Sequence, residues 1–138
     1  MRARMTLGVV LVVAGLGSGP LAAGDRGGGP GRQTAVVYLA EPTLVGSTIV
    51  QGPVLFIHDD DKMAQGEPCT SIRLFEPGKG PSEEIASFHC VPRHGTATNR
   101  FTLTTRPNLR DGFGCVLTAY QFVGDSEVHG VPVAREAH

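Results

Sequence analysis

Short clusters of apolar residues alternate with glycine- and proline-rich segments along most of the chain. The clusters are rich in valine, isoleucine, threonine, phenylalanine and tyrosine, which are the residues favoured in strands. No long stretch keeps the 3.6-residue apolar repeat of a helix without an interrupting glycine or proline. The pattern predicts an all-β fold, a small antiparallel β-sandwich or barrel of about seven or eight strands. The predicted strands are Thr34–Glu41, Thr48–Gln51, Val54–His58, Ser71–Glu76, Glu84–Val91, Arg100–Arg106, Cys115–Val123 and Val128–Ala134.

The start of the chain has the pattern of an export signal. Arg2 and Arg4 precede an uncharged stretch, Met5–Gly24, whose apolar part is Leu7–Leu16. A basic start, a short apolar run and small residues at the end are typical of a cleavable signal peptide, which we assign to residues 1–24. The alternative is an uncleaved membrane anchor, which would need the apolar run to continue where glycines and a proline interrupt it.

The remaining chain has the size of one domain. Residues 25–32 are rich in glycine and predict a flexible leader, and residues 33–138 predict a single β domain. The formal net charge is −1 and no block of like charge occurs, which argues against nucleic acid as a partner. We expect an extracytoplasmic protein, secreted or periplasmic, with an unidentified ligand or protein as its partner. It would touch a membrane only if the signal stays uncleaved, and an exposed sheet edge offers a homodimer as a further alternative.

Three cysteines in an exported chain predict one disulfide and one remaining thiol. Symmetric pairing of strands about the turn Glu76–Pro81 would place Cys69 opposite Cys90, and we predict that these two form the disulfide. Cys115 then reads as a buried core thiol. The alternatives are a Cys90–Cys115 bridge and no bridge at all.

Two loops collect the polar and charged side chains that could form a binding surface. They are Asp59–Pro68 and Val91–Asn99, in which histidines, prolines and acidic residues lie between apolar strands. Each histidine taken alone is better explained by a solvated or hydrogen-bonded role than by metal binding. The candidate binding residues in and beside these loops are His58, Asp59, Asp61, Arg93 and His94.

Several of these residues, taken together with a cysteine, have the ligand types of a blue-copper site. The segment Cys90–His94 resembles the late cysteine- and histidine-bearing loop of the cupredoxin family, which the resemblance would make a copper loop. In that family a methionine usually follows, whereas here Met63 lies earlier in the chain, and a disulfide at Cys90 would remove the thiolate. We therefore expect no cofactor or metal, and keep a copper site as the alternative. Its ligands would be His58, His89, Cys90 and His94.

Catalytic motifs of high specificity are missing from the sequence, including the nucleophile elbow, the His-Glu-x-x-His helix and the phosphate-binding loop. The acidic run Asp59–Asp61 lacks the spacing of a calcium-binding EF-hand. The sequence favours a non-enzymatic binding or structural module. The alternatives are a cupredoxin-like copper protein and a small hydrolase whose site is assembled from distant segments, with Cys115 and His58 as its first candidate pair.

Overall fold

The computed structural model describes residues 31–133 and has the all-β architecture that the sequence predicts. Its eight strands are β1 (Arg32–Val45), β2 (Thr48–Asp59), β3 (Thr70–Glu76), β4 (Gly80–Phe88), β5 (Val91–His94), β6 (Thr102–Pro107), β7 (Cys115–Gln121) and β8 (Glu127–Gly130). One short helix, α1 (Asp60–Ala64), follows β2. The predicted signal peptide and nearly all of the predicted leader lie outside the described residues, among which no helix is long and apolar enough to cross a membrane.

The strands form one sheet in the order β4-β3-β2-β1-β7-β8-β5, and β6 pairs with the other edge of β7. Every strand pair is antiparallel except β1 with β7, which run parallel where Thr43 and Leu44 lie opposite Cys115 and Val116. The predicted purely antiparallel sheet is corrected at this point. The long excursion between β1 and β7 lets the chain return in the same direction, which a tight hairpin cannot do.

The division into strands also differs from the prediction in two places. The two strands predicted at 48–51 and 54–58 are a single strand, β2, because Gly52 adopts a positive φ of 89° and the pairing continues through Pro53. Residues 91–94, predicted as a binding loop, form β5. The merger into β2 removes one predicted strand and β5 adds one. The number of strands therefore agrees with the prediction, although the bounds of the strands do not.

The sheet curls around one core instead of lying flat. Strands β4 and β5 are the two ends of the sheet order, yet only His89 and Cys90 separate them along the chain. Three Cα–Cα steps span at most about 11 Å, so the two ends must approach each other closely at this point. The rings of Phe88 in β4 and Tyr120 in β7 meet at 6.4 Å between centroids, which places one end of the sheet against a strand four places away in the sheet order.

Two predicted strand registers are wrong, because the pairs nearest each turn, Glu76 with Gly80 and Pro107 with Cys115, centre the turns on other residues than symmetric pairing assumes. A register irregularity within each pair then shifts the partners further along the strands. In the β3–β4 pair Ile72 lies opposite Ala86 and Arg73 opposite Glu84, so that one residue of β4 is left over. For the next hairpin the sequence predicts pairing symmetric about Arg110, with Leu103 opposite Leu117, whereas in the β6–β7 pair Leu103 lies opposite Tyr120. An inserted residue shifts every partner beyond it, and the sequence carries no clear mark of where the insertion falls.

A glycine at the start of β7 provides a test of the β1–β7 junction. Gly114 has a φ of +71°, and a Cβ atom there would collide with the carbonyl oxygen of Pro42. We expect Gly114→Ala to cost several kcal/mol, because a backbone clash adds to the cost of about 1–2 kcal/mol of a left-handed conformation. Gly112→Ala is the matched control, since Gly112 has a similar φ of +76° and open space around its Cβ position.

Urea unfolding monitored by circular dichroism measures both variants. Equal losses of stability in Gly114→Ala and Gly112→Ala would show that the close approach of Pro42 does not matter.

Candidate metal centre

Two histidines that are distant in the sequence meet inside the core. His58 is near the end of β2 and His129 is in β8, and both residues are fully buried. Their ring centroids lie 4.2 Å apart. Histidine is seldom fully buried unless its ring nitrogens are satisfied, so a buried pair in contact requires an explanation.

The end of β2 is fixed by the turn that follows it. Asp59 caps α1, where its side chain accepts hydrogen bonds from the backbone N–H groups of Asp61 and Lys62. The backbone N–H of Asp59 donates to the carbonyl oxygen of Cys69 at 2.9 Å. The cap and this bond together hold His58 beside the start of β3, where Cys69 lies.

Two cysteine thiols complete the buried cluster. Cys69 immediately precedes β3 and Cys90 lies between β4 and β5, and both residues are buried. The backbone N–H of Cys90 donates to Cys69 Sγ at 3.1 Å, and Cys90 Sγ lies 3.6 Å from His129 Nδ1. Both thiols are free, as is that of Cys115.

The predicted Cys69–Cys90 disulfide is therefore not present in the structure, although the two residues are neighbours. The predicted cross-strand pairing is off by at least one position, because Thr70 lies opposite Phe88. Both cysteines consequently lie just beyond the paired residues of β3 and β4, where no ladder aligns their side chains.

The ligand atoms fall into two overlapping groups of three. The inner triad is His58, Cys69 and Cys90, and the outer triad is His58, Glu127 and His129; within each triad the ligand atoms lie within 4.8 Å of one another. Zinc binds nitrogen and sulfur at about 2.0–2.3 Å, so two donors on one tetrahedral ion lie about 3.3–3.8 Å apart. Each triad thus needs only small side-chain movements to close around an ion.

Three ring nitrogens of the histidine pair lack hydrogen-bond partners within the described part of the chain. They are Nδ1 and Nε2 of His58 and Nε2 of His129. His58 Nδ1 lies 3.5 Å from Asp60 Oδ1 and His129 Nδ1 lies 3.5 Å from Glu127 Oε1. An unsatisfied buried polar group costs about 1–3 kcal/mol, so this cluster is costly unless something binds the nitrogens.

Burial favours the neutral forms of both imidazoles and of the Cys90 thiol. It lowers the pKa of His58, and together with the neighbouring His58 it lowers the pKa of His129 to about 4. Burial also raises the pKa of the Cys90 thiol to about 12, with hydrogen bonding to Cys69 acting in the same direction. Neutral imidazoles are the form that binds metals, whereas a thiol must lose its proton to bind.

An aromatic and hydroxyl layer supports the cluster from the core side. The Tyr120 ring stacks on the His129 ring with 4.9 Å between centroids and an interplanar angle of 17°. The Tyr120 hydroxyl group is hydrogen-bonded to Thr70 Oγ1, which lies 3.7 Å from Cys69 Sγ. Outer contacts of this kind fix the orientation of ligand side chains in metal sites.

An open acidic pocket of about 420 Å³ is lined by the two carboxylates nearest the histidines, Asp60 and Glu127. Burial raises the pKa of Glu127, and the nearby charges of Asp125 and Asp60 raise it further. The pocket is lined by Gly31, Gln33, Asp60, Val123, Gly124, Asp125 and Glu127.

The copper alternative drawn from the sequence named two of the clustered residues. His58 and Cys90 do come together, whereas His89 and His94 are exposed, and Cys69 and His129 occupy the places that they would have filled. From the sequence, Cys69 was predicted to form a disulfide. His129 was not predicted as a metal ligand. The only indication in the sequence was its position among apolar residues near the end of the chain.

The other candidate binding residues have simpler roles. Asp59 caps α1, and Asp61 is exposed in its first turn. Arg93 and His94 are exposed on β5, where His94 lies opposite Glu127 of β8. The second predicted loop therefore adjoins the cluster through β8, as part of a strand.

The hydrolase pair suggested by the sequence is separated in the structure. Cys115 lies opposite Thr43 and His58 lies opposite Gln33, so they are near opposite ends of β1. Cys115 Sγ instead lies 3.4 Å from Thr43 Oγ1. Burial raises the pKa of the Cys115 thiol, which disfavours its reactive thiolate form.

Comparisons of the chain with protein-family models, with curated proteins and with solved structures find no match. The geometry of the buried histidine and cysteine cluster is therefore the basis for assigning a function.

The buried histidine pair predicts a loss of stability of the metal-free protein on acidification. His129 has a pKa of about 4 when folded and near 6.5 when unfolded, so the unfolded chain binds more protons between these values. Its contribution is complete above pH 6.5 and is lost as the pH falls toward 4, by about 3 kcal/mol from 1.36 kcal/mol per pKa unit. His58 acts in the same direction.

Urea unfolding with a chelator between pH 4 and 8 measures the effect. His129→Gln should flatten the profile, and the exposed His94→Gln should leave it unchanged. A wild-type profile that is no steeper than that of His129→Gln would contradict the assignment.

Proposed function

We propose that this protein binds one transition-metal ion through His58, Cys69 and Cys90, with His129 as the fourth ligand. The observation that supports this most strongly is the set of unpartnered imidazole nitrogens buried beside two free thiols. His129 joins the inner triad through a short movement, since its Nδ1 lies 3.6 Å from Cys90 Sγ.

The donor set selects the class of metal. Two thiolates and two imidazoles suit Zn²⁺ in tetrahedral geometry and also Cu⁺, while Ca²⁺ and Mg²⁺ prefer oxygen ligands. The bound ion would supply a Lewis-acidic charge that offsets two thiolates and gives the ring nitrogens a partner. Zn²⁺ and Cu⁺ share this ligand chemistry, and direct metal analysis of the purified protein distinguishes them.

The arrangement favours binding over catalysis. Four ligands from the protein leave no open position for water or substrate, which is the difference between structural and catalytic zinc sites. All four side chains are buried, with exposures of 8 % or less. We therefore propose a non-enzymatic metal-binding module, and from the apparent export signal we place it outside the cytoplasm.

A cobalt titration tests the inner site. Co²⁺ substitutes for Zn²⁺ and gives an intense sulfur-to-metal charge-transfer band only when thiolates are ligands. We expect one equivalent to saturate this band in the reduced wild-type protein, and Cys69→Ser and Cys90→Ser each to weaken or abolish it. Zn²⁺ at 1,000 times its Kd should stabilise the fold by about 4 kcal/mol.

The matched control is Cys115→Ser, because Cys115 is an equally buried thiol at a distant place in the sheet. It should leave both the band and the stoichiometry unchanged. The proposal is wrong if the reduced wild-type protein gives no charge-transfer band, or if Cys115→Ser abolishes it.

A second candidate for the two thiols is the Cys69–Cys90 disulfide, favoured by the 3.1 Å contact between Cys90 N and Cys69 Sγ. Mild oxidation by a low-molecular-weight disulfide would transfer two electrons to that reagent and release it as two thiols. The bridge would close a loop of about twenty residues and stabilise the fold by about 3 kcal/mol.

Thiol labelling with intact-mass analysis and peptide mapping compares the two states. We expect the metal-free protein to link Cys69 and Cys90 under oxidised glutathione, and one equivalent of Zn²⁺ to prevent it, because both thiolates are then occupied. Linkage of Cys90 to Cys115, or oxidation unaffected by Zn²⁺, would contradict this expectation.

A further inference from the structure

The acidic pocket lies directly outside the histidine pair and shares two carboxylates with it. Asp60 and Glu127 both line the pocket, and each carboxylate is 3.5 Å from a buried imidazole nitrogen, those of His58 and His129 respectively. Asp125 adds a third negative charge to the same wall. Carboxylates in a cleft raise the local concentration of cations and speed their association.

The thiols lie farther from solvent. Glu127 keeps 44 % of its side chain exposed and Asp60 keeps 59 %, whereas Cys69 and Cys90 are 3 % and 8 % exposed. His58 belongs to both triads, so it stands between the open carboxylates and the buried sulfurs.

We propose that the pocket is the entrance for the metal ion, and that the outer triad of His58, Glu127 and His129 is a second cation site on its way to the inner triad. This rests on the proposed function of the inner triad. The unpartnered nitrogens of His58 and His129 point to a ligand here independently of the carboxylates, because both rings are fully buried and neither carboxylate satisfies them.

The shared ligand gives the transfer a direct route. An ion held by His58, Glu127 and His129 can bind Cys69 and Cys90 without first being released, because His58 stays bound, with His129 as the fourth ligand, while the carboxylate leaves. For a divalent ion the step is M²⁺ + 2 RSH → M(SR)₂ + 2 H⁺, with the carboxylate freed and both protons passing to solvent. No oxidant or reductant is needed.

The two triads also differ in chemistry. The outer triad offers two imidazoles and one carboxylate, a set that suits Zn²⁺, Co²⁺ and Cu²⁺ without any thiolate. The inner triad adds sulfur. An ion in the outer triad should therefore be detectable when both sulfurs are removed.

An equilibrium experiment isolates the outer triad. In the full-length double variant Cys69→Ser/Cys90→Ser, we expect isothermal titration with Co²⁺ to detect one site with no sulfur charge-transfer band. Adding Glu127→Gln in that background should weaken it by about tenfold or more, the range reported for loss of a metal-site partner. Adding Glu83→Gln, an exposed carboxylate on β4, is the matched control.

A kinetic experiment tests the entrance. In protein with both thiols intact, stopped-flow mixing with Co²⁺ follows the growth of the charge-transfer band. Asp60→Asn and Glu127→Gln together should slow loading about tenfold or more at low salt. Wild-type loading should slow as salt is added, since the steering charges are exposed. Glu83→Gln should load at the wild-type rate.

The outcomes separate the two proposals. If the double cysteine variant binds no Co²⁺ in a folded state, or if the neutralised pocket loads at the wild-type rate, the outer site or the entrance is overturned while the wild-type band still supports the inner site. If wild-type protein gives no band but the double cysteine variant binds Co²⁺, the inner site fails and the outer triad stands. Asp125→Asn, which lines the same pocket, provides a second neutralising variant if Glu127→Gln unfolds the protein.

Discussion

The contact between the imidazoles of His58 and His129 joins the first half of the described chain to its end. Two polar rings in van der Waals contact inside a β core are unfavourable, because burial removes their water and leaves ring nitrogens without partners. The surrounding structure accommodates this cost. Tyr120 stacks on one ring, the capped end of β2 fixes the other, and two thiols approach from β3 and from the β4–β5 connection. An arrangement that concentrates so many soft donor atoms in one place is best explained by a ligand that uses them.

The fold class could be predicted from the sequence because its evidence is local. Alternating apolar residues mark β3 and β7 within a few positions of their true limits, and glycine with proline marks the turn between β3 and β4. The bounds of the individual strands were harder to predict from the sequence. Gly52 and Pro53 read as a break, yet β2 runs through them, since pairing with β1 on one side continues and supplies what local propensity lacks.

The candidate site was predictable only in its residue types. Imidazoles and thiolates were recognised as metal ligands, but which ones meet depends on registers and on how the sheet curls, and both are properties of the whole fold. The β3–β4 register, with Thr70 opposite Phe88, leaves Cys69 one position out of cross-strand alignment with Cys90, and the curl of the sheet brings His129 onto His58. His89, adjacent to Cys90 in the chain, points away for the simple reason that neighbouring residues in extended backbone face opposite sides.

The two-residue connection between β4 and β5 relates the proposed metal site to the closure of the sheet. These strands are the two ends of the sheet order, and only a covalent segment containing Cys90 carries the chain from one to the other. The curled sheet therefore has a seam, the β4–β5 connection, where its two end strands are joined along the chain but are not paired with each other. The four proposed ligands come from β2, from the residue before β3, from this connection and from β8. An ion bound there would link the strands on both sides of the seam through its ligands. Binding would therefore tighten the closure of the whole sheet, and release would loosen it.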